Sequence, residues 1–304
     1  MFELKGQKIT LPNETPFSYE KYTVPCCEDC NSLLGKNVEE KVKRLVSEGQ
    51  QAIYEHLKAE GPFLLFTWMG LIFLKTHLKD KNLRWNQDFR APGHKIADLY
   101  NWEEFYNLHT IIRAGYVGSD VAGKVLGSFC VLPTKSVFAA GEFDFGDLTA
   151  GQTLMLRMGE FAFIAVFNDS CGAMNAANER LVRIEGPLSE LQIREVMVEL
   201  AFMNLTLKKR PVFSSHLDFV NEQHRIEAEV PKFVELDQID LDLRGRLLYS
   251  ATKHLLEAMS APTEIKERTI ESVRSGAASF LYGDYGNFIH GGLVEYPDTL
   301  PKDG

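Results

Sequence analysis

Gln152–Asn168 reads QTLMLRMGEFAFIAVFN, and this stretch decides the fold. Gln152 to Met158 and Glu160 to Asn168 are rich in β-branched, aromatic and long apolar residues, and Met158-Gly159-Glu160 has the chemistry of a tight turn between two strands. Phe161 to Phe167 is almost wholly apolar, so this strand is expected to be covered on both faces. Val125 to Leu132 supplies a further strand. The expectation is an α+β fold: a mixed, helix-rich body around a central antiparallel sheet.

Helical periodicity surrounds this centre. Val42, Leu45, Val46, Ile53 and Leu57 fall on one stripe, with Glu39, Lys43 and Glu55 off it. Gly61-Pro62 ends that helix and opens another to about Leu78, followed by a polar, loop-like segment from Asp80 to Gly93. Trp102 to Ala114 carries Phe105, Leu108, His109 and Ile112 on one face. The clearest helix start is Ser189, with Gln192 three residues on as a capping box. Its apolar face runs through Ile193, Val196, Met197 and Leu200 to about Leu207. Asp240 to Tyr282 reads as two helices parted by Ala261-Pro262, and the Gly-, Pro- and Asp-rich tail from Gly283 reads as loose. At the other end, Phe2-Glu3-Leu4 and Lys8-Ile9-Thr10-Leu11 alternate like a small β-hairpin, with turn chemistry at Gly6 and Pro12-Asn13-Glu14. The expected organisation is an N-terminal appendage over residues 1–36, a body over 37–282 and a tail over 283–304.

The 304-residue chain is 45% hydrophobic and 25% charged, the make-up of a soluble globular protein with a sizeable core. Its net charge of -9 argues against a broad electrostatic footprint for nucleic acid. The best candidates for a local basic patch are Lys36, Lys41, Lys43 and Arg44, and Lys208, Lys209 and Arg210, which read first as solvated helix faces or ends. The longest apolar run, Pro62 to Leu74, is too short to span a bilayer, so no membrane role is expected. Five cysteines, an odd number, and a start without a long apolar core point to a reduced, cytoplasmic compartment.

One segment reads as chemistry rather than packing: Thr23-Val24-Pro25-Cys26-Cys27-Glu28-Asp29-Cys30-Asn31-Ser32-Leu33-Leu34-Gly35. A strand running into a C-x-x-C knuckle, then Asn and a helix, resembles the closing half of an HNH-type (ββα-metal) endonuclease module. The resemblance implies that Cys27 and Cys30 match the second of two zinc-holding pairs, and that Asn31 matches the ligand of a catalytic divalent ion such as Mg. Cys26 is an extra thiol beside them. The departures are specific. No C-x-x-C precedes Cys27, and no His precedes His56, so the Asp/Glu-His-x-x-Pro segment that activates water in that family is missing. The asparagine usual a few residues before the second pair is replaced, with Lys21-Tyr22-Thr23 in that stretch. Two thiolates fall short of the roughly four ligands of a structural zinc, so the expectation is a partial, labile zinc site and no DNA cleavage by the chain alone. Trp68 to Lys75 and Ser189 to Pro211 look like the body of bacterial proteins that carry such a module. Either the missing half lies upstream of Met1, or the chain is a degenerate member acting on DNA or a protein partner in bacterial or phage defence or DNA processing.

Two other readings stand beside it. One is a non-catalytic scaffold or partner-binding protein with structural cysteines. The other is a small-molecule enzyme with a site near Asp144, Asp147, Asp169 and Cys171. Glu142, Asp144 and Asp147 share an acidic segment read as a loop, where oxygen ligands would suit Mg or Ca. Cys171 follows the apolar strand, and His216 and His109 are its candidate bases. His94 and His290 lie in Gly-rich loops and read as surface residues. No P-loop, G-x-G-x-x-G, G-x-S-x-G or H-E-x-x-H occurs.

Overall fold

A computed structural model describes residues 8–10, 16–18, 21, 23–86, 88, 90, 93–137, 143–218, 220–221 and 223–291. The fold is α+β. Its centre is a four-stranded antiparallel sheet of β4 (Phe129–Pro133), β5 (Phe143–Leu148), β6 (Thr153–Met158) and β7 (Phe161–Val166), in the order β4–β7–β6–β5. Gly159, at φ 63°, makes the tight turn that pairs Met158 with Phe161.

Both faces of the sheet are covered. Leu154, Leu156, Phe161, Phe163 and Phe167 join one core with helices α4 (Phe63–Asp80) and α5 (Tyr106–Val117). Met155, Ala162, Ile164 and Val166 join a second core with helix α7 (Glu190–Thr206). The strict alternation between cores is the period of two that a strand imposes, and it explains why the run lacks polar positions.

Helix α7 is enclosed almost all round. Its inner side rests on the sheet, and its outer side lies under α6 (Gly172–Leu181) and α8 (Leu241–Ala258), with α9 (Thr263–Arg274) packed on α8. Ser189 caps it, accepting from the Gln192 N–H at 3.4 Å while Gln192 Oε1 accepts from the Ser189 N–H at 3.0 Å. Enclosure obliges its polar residues to find protein partners. Glu195 does so by accepting from Arg244, Arg180, Ser279 and the N–H groups of Phe280 and Leu281.

A smaller sheet, in the order β3–β9–β8, joins β3 (Asp120–Val121), β8 (Val212–Asp218) and β9 (Gln223–Glu229). It was not expected from the sequence, because β8 is an exposed edge strand with no apolar alternation. Ile226 of β9 reaches the first core.

Several expectations are corrected. Lys8–Thr10 (β1) pairs antiparallel with Pro16–Ser18 (β2); Phe2 to Leu4 lies outside the described residues. The single stripe through Val42 and Leu57 is divided into α1 (Glu28–Leu34), a π-helical turn at Gly35–Glu39, α2 (Glu40–Glu48) and α3 (Gln50–Glu60). Gly49, at φ 91°, makes the break before α3. The chain from Gly283 to Gly291 is held rather than loose, since Phe288 is buried and Ile289 O accepts from the Gln192 amide at 2.7 Å. Among the described residues, no single helix is long and apolar enough to cross a membrane.

Candidate functional site

The N-terminal thiols take their geometry from the start of α1. Cys27 has extended backbone, φ -69° and ψ 153°, and its Sγ accepts the N–H of Cys30 at 3.4 Å. Asn31 N–H donates to Cys27 O at 2.9 Å, closing the first helical turn. Cys27 thus occupies the capping position where Ser, Thr, Asp or Asn is the usual choice, and Glu28 and Asp29 place negative charge in the first turn, where the helix dipole favours it. Cys26 and Cys27 are exposed and Cys30 is half-buried. Hydrogen bonding from the Cys30 side chain, then its N–H, holds the Cys27 thiol below its ordinary 9.0. The same side-chain bond to Cys27, with desolvation, raises Cys30.

The element is anchored to the body. Leu34 of α1 is buried in the core shared with α4, and Asn37 Nδ2 donates to Tyr116 O of α5 at 2.8 Å. Lys36, Lys41, Lys43 and Arg44 are exposed beyond it.

Zinc fit is a matter of ligand number. Among the described residues, no three His, Cys, Asp or Glu side chains gather where one ion could touch them. Cys27 and Cys30 share a turn, but Cys26 does not join them in a ligand group, and Asn31 is exposed. The residues described do not fit a closed tetrahedral site.

The second candidate set is dispersed. Asp144 and Asp147 lie on strand β5 rather than in a loop, and Glu142 lies outside the described residues. Asp144 pairs with Arg194 of α7, on one face of the sheet. Asp147 Oδ2 lies 3.2 Å from His77 Nε2 of α4, on the other. Asp169 accepts from the Ser128 N–H at 2.8 Å, the Ser128 hydroxyl at 2.5 Å and the Ala173 N–H at 2.8 Å. Ser128 Oγ in turn accepts from Met174 N–H at 2.8 Å. Asp169 and Ser128 together cap α6, a structural task. Cys171 sits in the left-handed region at φ 65°, and its thiol donates toward Gly127 O at 3.4 Å. Desolvation, then the Asp169 charge, raises that thiol. His216 instead contacts Ser214 and Glu227, and exposed His109 borders a separate groove. The structure brings Asp169 and Cys171 into one turn and leaves Asp144 and Asp147 with partners on opposite faces. His94 stacks near Trp85, and His290 packs edge-on against Phe288.

Sequence reasoning missed His77. It reads as one polar residue on an apolar helix, yet it is fully buried: Nδ1 lies 2.7 Å from Phe73 O, and Nε2 lies 2.9 Å from Thr149 Oγ1. Nearby, the Tyr100 hydroxyl donates to buried Asp80 at 2.6 Å. Desolvation, then Asp80, pushes the Tyr100 phenol far above its ordinary value. Leu74, Leu78, Trp102, Phe105 and Tyr106 line an open apolar groove of about 700 Å³ beside this cluster. The chain matches no family model, no curated protein and no solved structure.

Proposed function

We propose that this chain is an HNH-endonuclease-like protein that does not cut DNA by itself. Its N-terminal ββα element keeps the closing half of the metal module, and its α+β body recognises a partner in bacterial or phage defence or DNA processing. The observation that carries the reading is chain order: the hairpin β1–β2, then residues 23–27, then α1 opening on the thiol pair with Asn31 at its middle. The missing base explains the inactivity. Hydrolysis of a phosphodiester needs a group to take the proton of the attacking water. His56, the first histidine of the sequence, lies on α3 and faces Glu60 at 3.9 Å.

Duplex DNA is the first partner to test, with the exposed Lys36, Lys41, Lys43 and Arg44 as its contact, since lysine and arginine position a phosphate backbone without reading sequence. The experiment pairs plasmid incubation with Mg, Mn or Zn and a gel-shift assay on the same protein. The expected result is no nicking, with retardation that weakens as salt rises and in Lys41→Glu/Lys43→Glu. Metal-dependent cleavage lost in Asn31→Ala would overturn the inactive assignment. Absence of any retardation would remove DNA and favour the second reading, a protein-binding scaffold, which the capping role of Cys27 supports.

A further inference from the structure

We propose that Cys27 and Cys30 form a reversible dithiol–disulfide couple, with Cys27 as the attacking thiol and Cys30 as the resolving one. The inference goes beyond the nuclease-like reading and does not depend on it. It begins from the mismatch with zinc: two neighbouring thiols share one turn, and no third ligand joins them among the described residues. A pair without a metal shell still has the chemistry of its sulfur atoms.

Spacing and exposure fit that chemistry. A disulfide needs Cβ atoms about 3.5–4.5 Å apart, and the capping turn already folds the Cys27 side chain back toward Cys30. The Cys27 sulfur already lies over the first turn, 3.4 Å from the Cys30 nitrogen. Cys27 is open to a small molecule, whereas Cys30 is half-buried behind it. This asymmetry sets the order of attack. Cys26 cannot replace Cys30 easily, because adjacent residues close a strained ring. Cys130 lies on β4 against the second core, and Cys171 precedes α6 with its thiol toward Gly127 O, so neither is at α1.

The oxidant is a small-molecule disulfide. The Cys27 sulfur, giving up its proton, attacks one sulfur of that disulfide, forming a mixed disulfide and releasing one small thiol. The Cys30 sulfur then attacks the Cys27 sulfur and expels the second small thiol. One S–S bond and two S–H bonds are exchanged for one S–S bond and two S–H bonds. The protein pair is oxidised, the small disulfide is reduced, and an excess of small thiol runs the exchange backward.

The test uses the full chain, treated with chelator, exposed to oxidised glutathione and then alkylated and mapped by peptide mass. The expected result is joint loss of alkylation at Cys27 and Cys30, no change at Cys26, and full recovery after dithiothreitol. In Cys30→Ser a glutathione adduct should persist on Cys27, because nothing resolves it; in Cys26→Ser the disulfide should form as before. Unchanged alkylation, a disulfide that requires Cys26, or an adduct as persistent in the unmodified chain would overturn the couple. So would one zinc held per chain through the chelator treatment, which would instead support a closed knuckle. These readouts are separate from cleavage and gel shift, so either proposal can fail alone.

Discussion

Arg244 Nη2 lies 3.0 Å from Glu195 Oε1, and the two side chains are 6% and 0% exposed. Arg244 Nε also reaches Glu199 Oε2 at 3.2 Å, and Arg180 bridges the same two carboxylates from α6. Two guanidinium groups therefore balance two carboxylates at the outer side of α7. Removing one partner of a buried pair costs about 3–5 kcal/mol, because it strands a charge away from water. Arg244→Met should lower unfolding free energy by that order in urea titration. A loss under about 1 kcal/mol, the scale of an exposed pair, would show that water reaches the cluster.

Acid sensitivity should concentrate at the start of α7. Burial pushes the Glu190 carboxyl up, but the Ser136 hydroxyl at 2.5 Å, the Val137 N–H at 3.0 Å and the nearby Arg157 outweigh it and hold the carboxyl below its ordinary 4.5. A depressed carboxyl contributes stability that is present above its unfolded value and is lost as pH falls through its folded value. Thermal midpoints should therefore drop as pH falls below 4.5, and Glu190→Gln should flatten that part of the profile. An unchanged slope in the variant would remove Glu190 from the acid transition.

Packing between α8 and α9 makes a sharper demand on one glycine. A Cβ built on Gly245 would lie 2.1 Å from Arg274 O, a backbone atom with no rotamer to escape into. A Cβ on Gly123 would meet nothing within 4 Å. Gly245→Ala should destabilise by at least the roughly 1–3 kcal/mol of an overpacked core, while Gly123→Ala should stay within about 0.5 kcal/mol, the range of surface changes. Melting both variants beside the parent chain checks the contrast, and equal midpoints would refute it.

Legibility followed the period of the residues. Strands β6 and β7 were readable because Leu154 to Phe167 alternates between two apolar cores, and α7 because Ser189 and Gln192 form a cap visible in four letters. Strand β5 was read as an acidic loop because its charges are answered from distant positions: Asp144 by Arg194 and Asp147 by His77. Nothing local to Asp144 announces a partner fifty residues away. Strands β8 and β9 were hidden for another reason. Val212 and Leu217 are exposed beside Ser214, Ser215 and His216, so apolar and polar residues of β8 share the outside and no alternation marks the strand, while only Phe213, Ile226 and Ala228 turn to the first core. At the thiols, the sequence set Cys27 and Cys30 three residues apart, but the capping role of Cys27 depends on where α1 begins.

The pairing of His77 with Asp147 gives the most discriminating prediction. His77 Nδ1 faces the Phe73 carbonyl, which only accepts, so that nitrogen carries a hydrogen. Nε2 then meets Thr149 Oγ1 at 2.9 Å, and it donates to Asp147 Oδ2, 3.2 Å away, only when it carries a hydrogen as well, while the ring packs between Phe73 and Phe105. His77→Phe keeps the ring but leaves Asp147 and Thr149 facing an apolar surface. Asp147→Ala leaves Nε2 with Thr149 alone. His77→Phe should cost about 1–3 kcal/mol, the penalty for a buried polar group left without its partner, and Asp147→Ala less, since Nε2 keeps Thr149. Made together they should cost less than their sum, because the second change removes the group that the first had stranded. A double-mutant cycle read by urea unfolding decides this: a coupling of about 0.5 kcal/mol or more supports the pair, and strict additivity would show that His77 is held by Phe73, Thr149 and the surrounding rings without Asp147.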